Sequence, residues 1–135
     1  ILLAVAILAF ALCGLLAMYS TCFVLMATSK NINIATNAAQ GLIEEIRSPP
    51  FTRIISDYNG LNFIVNAIPL SRGVVYVDDT DPELLQVTIS VCWNQGSRII
   101  GEDTDLDGVL DAGEDANGNG IIDSPVELVT RIANR

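Results

Sequence analysis

Ile1-Leu-Leu-Ala-Val-Ala-Ile-Leu-Ala-Phe10-Ala-Leu-Cys-Gly-Leu-Leu-Ala-Met-Tyr-Ser20-Thr-Cys-Phe-Val-Leu-Met-Ala27 holds no charged side chain. The run exceeds the roughly 20 apolar residues that cross a bilayer as a helix. Its apolar character goes all round the helix, as suits a rod meeting lipid or packed protein on every side. A cleaved signal peptide carries a basic n-region and an apolar core of roughly 7–15 residues, and this run has neither. A lone small domain has no room to bury it. Residues 1–28 are therefore expected to be the apolar half of a helix, suited to a membrane span or a multi-chain core.

From residue 28 the chain turns polar without a break. Apolar positions then fall at Ile32, Ala35, Ala39, Leu42 and Ile46, a 3-4-3-4 spacing that marks one stripe of a continuing helix. Ser48-Pro49-Pro50 bars continuation. The sequence thus predicts one helix from residue 1 to about 47, roughly 70 Å long at 1.5 Å per residue, with 29–48 as its amphipathic half. The stripe covers too few heptads to prefer a coiled coil.

Residues 51–135 are expected to form a globular β domain. Phe51 to Asn66 offers a Tyr58-Asn59-Gly60 turn and apolar clusters without a clear period. Gly73–Asp78 and Leu84–Trp93 are β-rich runs joined by an Asp79-Thr80-Asp81-Pro82-Glu83 turn. In the second run Leu85, Val87, Ile89 and Val91 share one face and Gln86, Thr88 and Ser90 the other, which predicts an antiparallel sheet with one face buried on the helical stripe. Asn94-Gln95-Gly96 turns the chain into Ser97–Ile100, and Val126–Ile132 reads as a last strand. The fold class expected is α+β, a long N-terminal helix packed on a small antiparallel sheet.

Charge sets the remaining segment, 101–127, apart. The chain combines a mean hydropathy of +0.44 with a formal charge of -9. Nine acids and no base lie in 101–127, while the other seven acids are balanced by seven scattered bases. Without a basic patch, a nucleic-acid partner is not expected. The chain has no histidine, which excludes imidazole triads, histidine-ligated zinc and histidine acid–base chemistry. Cys13 and Cys22 lie about half a helical turn out of phase, and Cys92 has no C-x-x-C partner, so the three cysteines read as small apolar residues.

Asp103-Thr-Asp105-Leu-Asp107-Gly108-Val109-Leu-Asp111-Ala-Gly-Glu114 matches the twelve-residue calcium loop, with side-chain oxygens at positions 1, 3, 5, 9 and 12, glycine at 6 and the Val109 carbonyl at 7. Calcium takes about 6–8 hard oxygens, and alternate carboxylates around a sharp glycine turn can converge on one point. A second register follows at once: Asp115, Asn117, Asn119, Gly120, Ile121 through its carbonyl, and Asp123. Its position 12 is Val126, with Glu127 one residue late, so this second site is either weaker or completed by a ligand from elsewhere. A merely solvated acidic loop would gain nothing from such spacing. No flanking helices are expected. The loops more closely resemble the free-standing calcium repeats of dockerin-like and thrombospondin type 3 segments, which implies a structural role.

The apolar helix, its extension ending Asn37-Ala-Ala-Gln-Gly-Leu-Ile-Glu-Glu-Ile-Arg47-Ser, and the following sheet together resemble a type IV pilin or pseudopilin. In that family a leader is cleaved, the new N-terminal residue is methylated and a nearby glutamate pairs with a neighbouring amine. This sequence is expected to start just inside that pattern. The family's helix-breaking proline and paired C-terminal cysteines are missing, and calcium is expected to replace the latter as a staple. The resemblance implies a non-enzymatic structural subunit of an extracellular pilus-like filament. Such a subunit is held in the inner membrane before assembly, is handled by pilus or secretion machinery, and forms a helical homo-oligomer through residues 1–28. Its rivals are a pseudopilin of a type II-like secretion system and a non-polymerising single-span calcium-binding surface protein.

Overall fold

The computed structural model describes residues 1–134. They fall into two compact units divided after Asn31. Helix α1 spans Leu2–Ile46, close to the expected 1–47. In the first unit every residue from 1 to 27 is exposed around the helix. This is the single helix among the described residues that is long and apolar enough to cross a membrane. Its polar side chains are partly self-satisfied. Thr21 Oγ1 donates to the Ala17 carbonyl at 3.0 Å and Thr28 Oγ1 to that of Val24 at 2.9 Å, so both hydroxyl donors are satisfied within the helix.

In the second unit, α1 buries Ala35, Ala39, Ile43 and Ile46. The expected stripe is shifted slightly: Ile43 is buried and Leu42 only partly so, both packing against the core from adjacent positions of the helix. After the two prolines a short second helix, α2 (Phe51–Tyr58), begins with Pro50 at its cap. Phe51, Ile54, Ile55 and Tyr58 face the core at i, i+3, i+4 and i+7 spacing. An Arg53–Asp57 ion pair at 3.1 Å spans the solvent side. This is the element that the sequence reading leaves unassigned.

The sheet is antiparallel throughout: β1 (Asn62–Phe63), β2 (Ser71–Asp81), β3 (Leu84–Gln95), β4 (Arg98–Ile100) and β5 (Glu127–Ala133). The order runs β1-β2-β3. Beyond it, β4 and β5 share the far edge of β3, with β4 opposite Trp93–Gln95 and β5 opposite Leu84–Ser90. The β2–β3 hairpin is tighter than expected. Its strands continue to an Asp81–Leu84 pair around Pro82-Glu83, and Asp79-Thr80 forms an irregularity held by Thr80 N–H donating to Asp78 Oδ1 at 2.9 Å.

One sheet face carries Leu85, Val87, Ile89, Val91 and Trp93 into the core shared with α1 and α2. The opposite face departs from expectation. Thr88, Ser90 and Cys92 are buried too, at 7%, 1% and 1% exposure. The cause is the segment between β4 and β5, which leaves and returns at one edge of β3 and lays Ile122, Leu106 and Leu110 over Val74, Tyr76 and Cys92. Ile122 N–H donates to the Tyr76 hydroxyl at 3.0 Å, and Arg72 Nε–H donates to the Leu106 carbonyl at 3.0 Å. Ser90 Oγ lies on this face with no hydrogen-bond partner among the described residues.

Candidate metal centre

The insertion is built as two loops of the same backbone design. Position 4 is left-handed in both, Leu106 at φ 61° and Gly118 at φ 75°. Position 6 is left-handed in both, Gly108 at φ 83° and Gly120 at φ 80°. Glycine takes such angles without the Cβ clash that penalises other residues. Leu106 takes one because its side chain packs on the covered sheet face and its carbonyl is held by Arg72.

Side-chain oxygens fix both loops by matching hydrogen bonds. In the first, Asp103 accepts from Asp107 N–H at 3.2 Å and from Gly108 N–H at 2.9 Å. Asp105 accepts from Asp107 N–H at 3.2 Å, and Asp107 from Val109 N–H at 2.7 Å. In the second, Asp115 accepts from Asn119 N–H at 3.0 Å and from Gly120 N–H at 2.9 Å. Asn117 Oδ1 accepts from Asn119 N–H and Asn119 Oδ1 from Ile121 N–H, each at 2.9 Å. Positions 1, 3 and 5 therefore play the same parts in each.

The carboxylates of the first loop converge. Ligand oxygens of Asp103, Asp105 and Glu114 lie within 4.8 Å of one another, as do those of Asp105, Asp107 and Asp111. Asp105 joins the two triplets. Asp103 is fully buried, and burial, with the Glu114 charge adding to it, raises its carboxyl pKa. The Glu114 carboxyl is instead lowered, chiefly by the Thr104 hydroxyl that donates to Oε1 at 2.6 Å. A cation at this point would relieve the crowding that Asp103 experiences.

Closure of the loops reveals a residue that the sequence reading passes over. In the first loop Glu114 accepts from the N–H of position 2, Thr104, at 2.6 Å and of position 9, Asp111, at 3.1 Å. In the second, the same two places are Ala116 and Asp123, and both N–H groups donate to Glu102, each at 3.2 Å. The signal lies in the sequence as a twelve-residue repeat: Glu102-Asp103 heads one loop and Glu114-Asp115 the next. Asp123 also accepts from the side-chain amides of Asn117 and, at 3.0 Å, Asn119. Glu127, at the start of β5, stands beside Asp123, and burial together with that neighbouring charge raises its pKa.

The first loop is packed against the sheet more tightly than the second. A Cβ on Gly108 would lie 2.5 Å from the Asn62 side chain on β1, whereas Gly118 and Gly120 face open space. No protein-family model matches the chain, and neither curated proteins nor solved structures yield a match.

Proposed function

We propose that the chain is a structural subunit of an extracellular type IV pilus-like filament, held by its apolar helix in the inner membrane before assembly and packed through it against copies of itself afterwards. The observation that carries this reading is the unbroken α1. Its residues 1–27 are exposed on every side, and its later turns bury Ala35, Ala39, Ile43 and Ile46 in a folded domain. So large an apolar surface is stable only in lipid or against many like helices. No chemistry is assigned to the chain; its work is to polymerise. Electron microscopy of the cell surface tests this. Wild-type chains are expected to yield long filaments and Leu15→Asp none, since a charge in a packed apolar core costs several kcal/mol per copy. Normal filaments from Leu15→Asp would sink the helical-core reading.

Calcium is the cation that we assign to the insertion. The first loop would supply carboxylates from Asp103, Asp105, Asp107, Asp111 and Glu114 and the Val109 carbonyl, a set of hard oxygens in the number calcium takes. Magnesium wants a tighter octahedron and keeps its waters. The second loop would supply Asp115, Asn117, Asn119, the Ile121 carbonyl and Asp123, closed by Glu102 with Glu127 nearby. For a Kd of roughly 10⁻⁵ M and ambient calcium of about 10⁻³ M, one site stabilises the folded domain by about 2.7 kcal/mol. Calorimetric titration with calcium tests the assignment, and absence of binding would remove it.

A further inference from the structure

We propose that the 101–125 insertion is a cation-latched cover over the second face of the sheet, and that emptying its loops lifts it off Cys92 while the core on the opposite face stays folded. The proposal rests on the calcium reading above and adds what the cation controls.

Three observations carry it. First, the cover meets the sheet through few apolar side chains and a handful of hydrogen bonds, from Arg72 to the Leu106 carbonyl, from Ile122 N–H to the Tyr76 hydroxyl and from the Ser124 hydroxyl to the Val91 carbonyl. Ile122 is its one fully buried apolar side chain on this face, with Leu106 and Leu110 only partly buried. Neither ion pair among the described residues involves an acid of the insertion, so its crowded carboxylates have no basic partner among those residues. Beneath it, Ser90 Oγ is buried without a hydrogen bond, a seat that gains nothing from closure at that atom.

Second, the two cores are separate. The main one unites α1, α2 and the other sheet face, and takes no side chain from 101–125; Val126, just before β5, stays anchored in it, its carbonyl accepting from Val91 N–H at 3.1 Å. The cover can therefore leave without emptying that core, as local opening of a weakly packed unit allows.

Third, the cover closes directly on a thiol. A Cβ on Gly101 would lie 2.2 Å from Cys92 Sγ, and Cys92 is 1% exposed. The Glu102 N–H donates to the Asp123 carbonyl at 2.9 Å, tying the two ends of the insertion together across that sulfur. A reagent reaches Cys92 only when those ends part.

The test uses the full chain in detergent micelles with Cys13→Ala and Cys22→Ala, two exposed positions on the apolar helix, so that Cys92 is the sole thiol. Its modification by an aromatic disulfide is timed in excess calcium and in chelator, with calcium binding followed by calorimetry and secondary structure by circular dichroism. Modification is expected to be at least about ten-fold faster in chelator, with helix and sheet signals unchanged. Asp105→Ala with Glu114→Ala should show the fast rate even in calcium. Equal rates despite a measured heat of calcium binding would overturn the cover and leave the calcium reading standing. Equal rates with no binding heat would overturn both. Fast modification accompanied by loss of the sheet signal would also overturn the cover, since the insertion would then be inseparable from the fold.

Discussion

Glu102 and Glu114 occupy the same place in opposite loops: each stands immediately before one loop, and each accepts hydrogen bonds from positions 2 and 9 of a loop. Glu114 does so for the loop it ends, and Glu102 for the loop that begins thirteen residues after it, at Asp115. The pair makes the loops reciprocal, since the first loop's leading residue closes the second. Glu102→Gln is therefore expected to weaken the second calcium site by about ten-fold or more, the scale of a charged hydrogen-bonding group. In calorimetric titration, an effect confined to Glu127→Gln would give that closing place to Glu127 instead.

Chelation is expected to lower the melting temperature of the domain and to open the chain to protease between Glu102 and Asp123. A stabilisation of about 2.7 kcal/mol corresponds to roughly 10 °C or more for a domain of this size. Asp105→Ala with Glu114→Ala should reproduce the loss in excess calcium, because both side chains belong to the converging carboxylates of the first loop. Melting curves that ignore chelator would refute a structural role.

The two position-6 glycines separate backbone strain from packing. Gly120→Ala meets only the left-handed φ of 80° in open space, at a cost of about 1–2 kcal/mol. Gly108→Ala meets the same strain and also drives into Asn62 at 2.5 Å, so its loss of stability should be larger. Adding Asn62→Ala should recover part of the Gly108→Ala loss and none of the Gly120→Ala loss. Equal costs for the two glycine variants in thermal melts would show that β1 does not support the first loop.

Burial pushes the Cys92 thiol up to about 11. A folded-state pKa raised above that of the free thiol means that the folded state holds the proton longer, so stability is complete below the free value of about 8.5 and falls as pH climbs from there towards 11. In calcium, Cys92 should stay unreactive through pH 9, and in chelator its reactivity should begin near the ordinary thiol range. Superimposable pH profiles in the two conditions would contradict burial by the insertion.

The parts of this fold most legible in sequence are those where one period dominates. Residues 1–27 have no polar face to confuse the reading, and β3 alternates Leu85, Val87, Ile89 and Val91 without interruption. Helix α2 is harder because its stripe of Phe51, Ile54, Ile55 and Tyr58 fills barely two turns and follows two prolines. The second buried face of the sheet is invisible to such patterning. Thr88 and Ser90 read as a solvent side and Cys92 as a small apolar residue, and nothing local shows that Ile122, thirty residues later, lies over Cys92. In the loops, the spacing of alternate oxygens is local and readable. The part played by Glu102 depends on a contact with Asp123 across the insertion, and only the repeated Glu-Asp pair hints at it.

Because β4 and β5 lie along one edge of β3, and the Glu102 N–H meets the Asp123 carbonyl at 2.9 Å, the intervening chain begins and ends at nearly the same point. Lengthening or shortening a closed excursion of this kind changes loop entropy only slowly and leaves the strand register untouched. The segment is thus a replaceable cassette on a fixed chassis. Its exchange for another segment would alter the exposed surface without disturbing the main core, provided that each replacement brings an apolar residue where Ile122 now sits or makes the Val74 and Cys92 positions polar.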